Sequence, residues 1–323
     1  MLNTQAMGKK KEILVIIPAY NEENAIVDVI KKIPPEVSGY ITNILVVDDG
    51  STDETAKKAK EAGAMVCSHN KNMGLGISFG TGISYAIKLQ PAVMVNIDAD
   101  GQFDSSDIPR LVKPIIENEA DFVTGSRFLN AVKILGMPKI RFFGNMIVTK
   151  IINLLTKNSF TDVSCGFRAY SYDTILKLNL SATFTYTHES FLSLCFQHVR
   201  IKEVPVTVSY FANRKSKIAQ RLWKYAVNII VIIIRSYCDY NPLKLFSFIS
   251  LIFFSVGFIL VTSVSIYFFD PITFAPYRGL VIAGFFFNLM ALLTFLFGLV
   301  VDILKRLRQN QEQILYYLKK RIQ

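Results

Sequence analysis

The sequence predicts an α/β fold: a mostly parallel sheet covered by helices, followed by interfacial helices and a two-helix transmembrane hairpin. Three observations lead there. Short apolar runs alternate with helical patterns between residues 13 and 124, and such alternation builds a parallel sheet with helices on both faces. Residues 245–269 and 279–301 contain no charged side chain, and each run exceeds the ~20 residues that cross a bilayer as a helix. The apolar run 92–97 passes directly into Asp98-Ala99-Asp100-Gly101-Gln102, at the carboxyl end of a strand, where sheets of this kind bind ligands.

Taken in order, residues 13–17 form a strand that Pro18 ends, and a helix follows at about 22–33. Residues 44–47 are the second strand, with a helix starting near Ser51, and 64–67 the third, with a helix at 76–89. Residues 93–97 and 122–124 are the fourth and fifth strands, separated by a helix at 108–117. Residues 139–157 have the period of one amphipathic helix, and 200–208 read as a final strand. Between Lys217 and Tyr240, basic and aromatic residues surround an apolar run at 229–234. That run is too short to span and reads as a helix lying in the membrane interface. Beyond Asp302, residues Leu304, Leu307, Gln311, Ile314 and Leu318 fall roughly on one face, giving either a short coiled coil or an exposed helix. The expected organisation is therefore an extension at 1–11, an α/β domain at 12–212, juxtamembrane amphipathic helices at 213–242, two spans within 243–302, and an amphipathic tail at 303–323.

Composition bounds the setting. The 323 residues are 51% hydrophobic, with a mean hydropathy of +0.34, and the surplus is concentrated in the two apolar runs. Lys244 precedes the first run and Lys305, Arg306 and Arg308 follow the second, while the loop at 270–278 has a single cation, Arg278. The positive-inside rule places both flanks in the cytoplasm, so the protein is expected to be multi-pass, with its large domain and C-terminus cytoplasmic. Much of the net charge of +11 lies near the spans, where anionic lipid is the nearer partner; no nucleic acid is expected. Cys67, Cys165, Cys195 and Cys238 show no paired spacing, which fits a reducing compartment and neither zinc nor a disulfide framework. Lys9-Lys10-Lys11 before 13–17 imitates a signal peptide, but the apolar run is too short and Pro18 stops it.

The carboxylates carry the chemistry. Like charges raise each other's pKa, so Asp98 and Asp100 make most sense with a divalent cation between them and a phosphate. Hard oxygens suit Mg²⁺ or Mn²⁺, and Gln102 offers a third oxygen from the same turn. Two other strand ends are equally polar: Pro18-Ala19-Tyr20-Asn21-Glu22-Glu23 and Asp48-Asp49-Gly50-Ser51-Thr52-Asp53. A carboxylate in the latter can accept a hydrogen bond from a nucleobase N–H, and Ser51 can cap the next helix.

Together with Asn72-Met73-Gly74-Leu75-Gly76 and Gly125-Ser126-Arg127-Phe128, these motifs resemble family 2 glycosyltransferases of the GT-A, Rossmann-like fold over about residues 12–215. Asp162-Val163-Ser164-Cys165-Gly166-Phe167-Arg168 and Arg214-Lys215-Ser216-Lys217 narrow the resemblance to polyprenyl-phosphate sugar synthases of the dolichyl-phosphate mannose synthase type. The resemblance implies that Pro18, Ala19, Tyr20, Glu22, Asp48, Asp49, Ala99, Arg214 and Lys217 contact the nucleotide sugar. Asp98 would face the donor's ribose or sugar, and Asp100 and Gln102 would hold the metal on its diphosphate. Arg127 would join Asp98, Asp100 and Gln102 in catalysis, while Ser126 and Arg168 would take the acceptor phosphate. Guanidinium forks suit phosphate oxygens on physical grounds as well.

Three further motifs have readings outside this set. Gly74-Leu75-Gly76-Ile77-Ser78-Phe79-Gly80 imitates a dinucleotide-binding loop, but it follows the third strand rather than the first; close helix–sheet packing explains it better. His188-Glu189 lies where inverting relatives often place a general base, yet a lipid phosphate, with a second pKa of about 6, is already an oxyanion and needs only positioning. Gln220-Arg221-Leu222-Trp223 scrambles a motif of processive synthases, and Trp223 reads as an interfacial anchor. The expected activity is inverting transfer of a hexose from a UDP- or GDP-sugar to polyprenyl phosphate, with another membrane lipid or a lipid-linked glycan as the alternative acceptor. Self-association through the spans or the tail is a further expectation.

Overall fold

The structure, a computed structural model, describes residues 10–129, 137, 139–179, 186–209, 222–265 and 277–321, with backbone alone at Lys10, Lys139 and 222–226. It divides into two compact units, one formed by the chain up to Ile233 together with Tyr316 onward, the other by Ile234–Leu315.

The first unit is built on β1 (Lys10–Ala19). On one side β1 pairs in parallel with β3 (Tyr40–Asp48), and on the other with β5 (Pro91–Asn96). The outer edge of β3 carries the short antiparallel β2 (Glu36–Val37) and the parallel β4 (Met65–Ser68). Beyond β5 lie β7 (Arg168–Ser171), β6 (Phe122–Ser126) and β8 (Ile201–Pro205), with β7 antiparallel to both neighbours. The sheet is thus mostly parallel, as expected, with one central strand reversed. That reversal decides where the site lies: the first residue of β7 sits level with the last residues of β5 and β6.

Period-two alternation distributes the core to two faces. Ile13, Val15 and Ile17 of β1 face one layer with α1 (Ile26–Lys31), α2 (Thr55–Glu61) and α4 (Ile108–Ile116). Leu14 and Ile16 face the other, with α3 (Leu75–Leu89), α5 (Lys139–Thr156), α6 (Tyr172–Lys177), α7 (Thr187–Phe196) and the start of α8 (Leu222–Tyr240). Close packing of α3 is written at Gly82, where an added Cβ would stand 2.6 Å from Ile16 Cγ2.

Several elements differ from expectation. α1 and α2 are shorter than predicted, because residues 20–25 and 49–54 are tied to each other instead of winding into helix. The final strand stops at Pro205, beyond which Val206 N–H turns to Ser126 O (3.2 Å). The first apolar helix, Pro242–Val264, begins earlier than expected, and much of the loop at 270–278 lies outside the described residues.

The tail expected at 303–323 is not a separate element: one helix runs over Arg278–Arg321. Near its end Tyr317, Leu318, Lys320 and Arg321 are exposed, whereas Tyr316 and Lys319 are half-buried against the first unit. Tyr316 packs against the α3 side of the core and donates to Asp173 Oδ1 (2.8 Å). Lys319 Nζ donates to Leu178 O (2.9 Å) and Asn179 Oδ1 (2.7 Å), capping the end of α6. Removing residues 316–323 is expected to destabilise the first unit by about 1–3 kcal/mol, the scale of a few hydrogen bonds, one of them charged. Thermal unfolding in detergent checks this, and an unchanged midpoint would refute the docking.

In the second unit, small residues bring the two long helices together. An added Cβ at Gly257 would lie 2.7 Å from Gly284 O, and one at Gly298 would lie 2.6 Å from Phe246 Cβ. Between them Ser250 Oγ donates to Ala291 O (2.7 Å). Gly284, Ala291 and Gly298 recur every seven residues, the seam by which apolar helices approach closely in lipid. The large apolar side chains, such as Phe248, Phe258, Ile282 and Phe285, point outward.

Candidate functional site

The carboxyl ends of β1, β3, β5 and β6 meet the amino end of β7. Ala19 lies beside Asp48 in the register, and Arg168 beside both Asn96 and Thr124. Every motif singled out between residues 18 and 168 therefore reaches one edge of the sheet.

The first two loops are stitched to each other. Asn21 N–H donates to Ser51 Oγ (2.9 Å), Glu22 N–H to Thr55 Oγ1 (2.8 Å), and Thr52 N–H to Asn21 Oδ1 (2.8 Å). Ser51 thus holds the first loop and does not cap α2, which begins four residues later. Gly50 makes the turn possible: its φ is +71°, and a Cβ there would stand 2.5 Å from the Lys71 carbonyl carbon.

Asp48 and Asp49 turn inward, at 3% and 4% exposure. Asp48 Oδ1 accepts from Ser51 N–H (3.1 Å). Asp49 accepts from Met73 N–H (2.9 Å), Gly74 N–H (2.8 Å) and His69 Nδ1 (2.8 Å), while His69 Nε2 reaches Thr81 Oγ1 (3.0 Å). Both carboxylates therefore shape the floor of the loops. These bonds occupy three of the four lone-pair positions of Asp49 and leave one for a ligand N–H. Pro18 and Ala19 are buried beside them, and Tyr20 and Glu22 are half-exposed at the rim.

Asp98 and Asp100 follow β5, with buried Ala99 between them. Asp100 Oδ1 accepts from Gln102 N–H (3.0 Å), which curls Gln102 back toward the pair. Beneath Asp98 lies Gly166, where a Cβ would come within 3.0 Å of Asp98 Oδ2. Gly166 is fixed in turn by Asn96, whose Nδ2 donates to Gly166 O (3.0 Å) and Tyr186 Oη (2.6 Å). Burial, and then the charge of Asp100, push Asp98 up to about 7, while the Arg127 and Arg168 guanidiniums pull it down. Two half-buried carboxylates and one amide oxygen are a hard, oxygen-only donor set with room for outside ligands, which fits Mg²⁺ or Mn²⁺. Toward α1 the turn borders a cavity of about 320 Å³, with Asp28 and Lys32 among its lining residues.

Arg127 stands across the edge, clamped by Asp162. Its Nε donates to Asp162 Oδ2 (2.7 Å) and its Nη2 to Asp162 Oδ1 (2.9 Å) and Ser164 Oγ (3.1 Å). Asn145 of α5 joins through Nδ2 to Asp162 Oδ1 (3.2 Å) and through its Oδ1 to Ser164 Oγ. Glu203 of β8 holds the segment from below, accepting from Thr161 N–H (2.8 Å) and Asp162 N–H (2.9 Å). Sequence reasoning missed Asp162, Glu203 and His69 as working residues. The available signals were Asp162, which opens the motif at 162–168, and Glu203, a carboxylate inside a strand-like run.

The two residues expected at the acceptor phosphate, Arg168 and Ser126, lie in the interior. Arg168 is completely buried, with Nη1 donating to Thr187 O (2.8 Å) and Ser190 Oγ (2.9 Å) and Nη2 to Val163 O (2.9 Å). Its fork has no surface to offer a phosphate; it acts on Asp98 from beneath through its field. Ser126, 1% exposed, shares a hydrogen bond with Thr161 Oγ1 (2.6 Å) and accepts from Phe128 and Leu129 N–H (both 3.2 Å), so it shapes the Arg127 turn. Arg214 and Lys217 lie outside the described residues.

His188 is also fully buried. Its Nδ1 is 3.3 Å from Thr187 Oγ1, and its Nε2 is enclosed without a hydrogen-bond partner among the described residues. Burial first, then the Arg168 charge, lower it to about 3. The unfolded chain protonates a histidine near 6.5, so the folded state loses stability as the pH falls from about 6.5 toward 3, by about 1.4 kcal/mol per unit. His188→Gln is expected to flatten that limb, narrowing the stability loss between pH 7 and 5 by about 2 kcal/mol. Parallel stability–pH curves for the two proteins would contradict the assignment.

Three comparisons bear on the site. The profile described as "Glycosyl transferase family 2" matches residues 14–178. An uncharacterized protein of Methanocaldococcus jannaschii, MJ1222, is 37% identical over 204 residues, covering 62% of this chain and 83% of its own. The UDP-N-acetylglucosamine–dolichyl-phosphate N-acetylglucosaminyltransferase of Methanococcus voltae is 31% identical over 220 residues, covering 62% and 86%. Among solved structures, glucosyl-3-phosphoglycerate synthase of Mycobacterium tuberculosis, in complex with Mn²⁺, UDP and phosphoglyceric acid, superposes with a TM-score of 0.57 at 20% identity, covering 70% of this chain and 78% of that one. That likeness shows the GT-A-like fold.

Proposed function

Because the chain belongs to glycosyl transferase family 2, we propose that it moves a hexose from a UDP- or GDP-linked sugar to polyprenyl phosphate, with inversion, at the cytoplasmic face of a membrane. The observation that carries this reading is one chain holding both a carboxylate pair at the edge of a GT-A-like sheet and two apolar helices long enough to cross a bilayer. The Methanococcus voltae relative, whose name specifies a dolichyl-phosphate acceptor, supports the same acceptor class.

Asp100 and Gln102 would hold Mg²⁺ or Mn²⁺, with Asp98 toward the donor's ribose or sugar. The cation, when bound, neutralises charge on the departing diphosphate. The rest falls to the chain's own groups. The loop from Pro18 to Glu22, shaped by Asp48 and Asp49, forms the rim for the nucleoside, and buried Ala99 anchors the turn between the two carboxylates. Arg127, held by Asp162, presents positive charge across from Asp98. Arg214 and Lys217 are proposed to add cations over the diphosphate. Nucleophilic attack asks no base of this site if the acceptor is a phosphate monoester, already ionised near neutral pH. His188, buried and neutral, fits that requirement: a group titrating near 3 is a weak proton acceptor.

The test is a donor panel. Purified full-length protein, Mg²⁺ or Mn²⁺ and polyprenyl phosphate are incubated with UDP- and GDP-hexoses. One donor is expected to be consumed only when lipid phosphate and metal are both present. Consumption with diacylglycerol in place of polyprenyl phosphate would shift the assignment to another lipid acceptor.

A further inference from the structure

The loop after β4 fixes how many hydrogen bonds Asp49 can still accept. Strand β4 ends level with β3, Ser68 beside Asp48 in the register, and His69 extends the pairing by donating its N–H to Asp48 O (2.8 Å). The His69 ring thereby stands beside the Asp49 side chain. Its Nδ1 is 2.8 Å from Asp49 Oδ1, and its Nε2 is 3.0 Å from Thr81 Oγ1 of α3. A ring nitrogen that close to a carboxylate oxygen carries the hydrogen, so Nδ1 donates and Nε2 accepts from the threonine hydroxyl. The Met73 N–H reaches the same oxygen (2.9 Å) and fills it. Oδ2 accepts from Gly74 N–H (2.8 Å) alone among the described residues. Asp49 therefore keeps one acceptor position, on Oδ2, and none on Oδ1.

That asymmetry separates two bases. Guanine presents N1–H and N2–H side by side, a pair that takes both oxygens of a carboxylate at once. Uracil presents a single N–H, at N3, between two carbonyl groups. Resting on the nucleotide-sugar reading of this edge, we propose that His69 sets the nucleobase. By filling the second position on Asp49 Oδ1 it leaves one acceptor, which suits uracil N3–H and not the paired donors of guanine. The donor is then a uridine diphosphate sugar. His69 acts through Asp49, as a positioning residue.

Asp48 offers no second reader of the base. Alternation along β3 sends it with Val46 to the side of α1 and α2. There its Oδ1 closes the turn to Ser51 N–H (3.1 Å), beneath the stitched loops. Guanine on Asp49 would bury one N–H without an acceptor, which lowers affinity about tenfold or more.

Binding of UDP, GDP and 3-methyl-UDP, whose N3 carries no hydrogen, is measured by calorimetry on the purified full-length protein with Mn²⁺. The parent is expected to bind UDP about tenfold or more tighter than either of the others. His69→Asn keeps an amide N–H at the Nδ1 position and is expected to hold that ratio. His69→Gln carries its amide to the Nε2 position and vacates Oδ1, which is expected to bring GDP within about threefold of UDP. A histidine with a merely structural role would, when replaced, weaken both nucleotides together and leave the ratio unchanged. That unchanged ratio in His69→Gln would overturn the role of His69. GDP bound by the parent as tightly as UDP, or 3-methyl-UDP bound equally well, overturns the proposal and leaves the transfer reaction standing. Binding of none of the three overturns the nucleotide-sugar reading and this proposal with it. The comparisons on the parent need no variant, so the test stays decisive if either substitution misfolds.

Discussion

Asp100→Asn is expected to lower turnover by about 10³-fold while leaving the fold unchanged. The size follows from the several kcal/mol that a Lewis-acid cation contributes to a developing diphosphate charge, at about 1.4 kcal/mol per factor of ten. The fold should survive because the turn depends on Asp100 Oδ1 accepting from Gln102 N–H, a bond that an asparagine oxygen also makes. The neighbour responds too. Asp100 is the second cause of the raised Asp98 pKa, after burial, so removing its charge allows Asp98 to ionise at lower pH. Steady-state kinetics beside metal titration check this. Turnover within tenfold of the parent, with metal affinity intact, would show that Asp100 is not a metal ligand.

The second large effect concerns the clamp. Asp162→Ala is expected to cost about 3–5 kcal/mol of stability, because it strands a largely buried guanidinium and leaves Asn145 Nδ2 and the Ser164 N–H short of an acceptor. Replacing both partners with apolar side chains (Arg127→Met with Asp162→Leu) is expected to recover most of that loss, since neither charge then remains buried alone. Activity should not recover with it. Melting temperatures and turnover of both single variants and the double variant separate the two roles. If the double variant regains activity along with stability, Arg127 serves the architecture alone.

Much of this molecule was legible because it is locally written. Strands such as 13–17 and 93–97 announce themselves by apolar, β-branched composition, and the paired carboxylates stand at the very turn where a parallel sheet binds ligands. The reversed strand β7 was not legible. It is four residues long, buried throughout, opens on an arginine, and owes its existence to β5 and β6, each more than 40 residues away in sequence. Its reversal is why Arg168 is interior. A sequence shows a cation suited to phosphate, whereas the fold pairs that cation with three interior acceptors. Asp49 illustrates the same limit. Its position at a strand end was readable, but its engagement with Met73, Gly74 and His69 depends on a loop 20 to 25 residues on. Ser126 and the tail residue Lys319 likewise take their roles from distant backbone.

The acceptor is the centre of the functional account, and one measurement addresses it directly. Membranes containing the protein are supplied with a radiolabelled nucleotide sugar and Mg²⁺ or Mn²⁺, and the lipid extract is divided and treated with mild acid or left neutral. The account predicts label in a polyprenyl fraction that mild acid releases as free sugar, and no such product from the Asp100→Asn protein. Label that stays with the lipid through mild acid would contradict a phosphate acceptor.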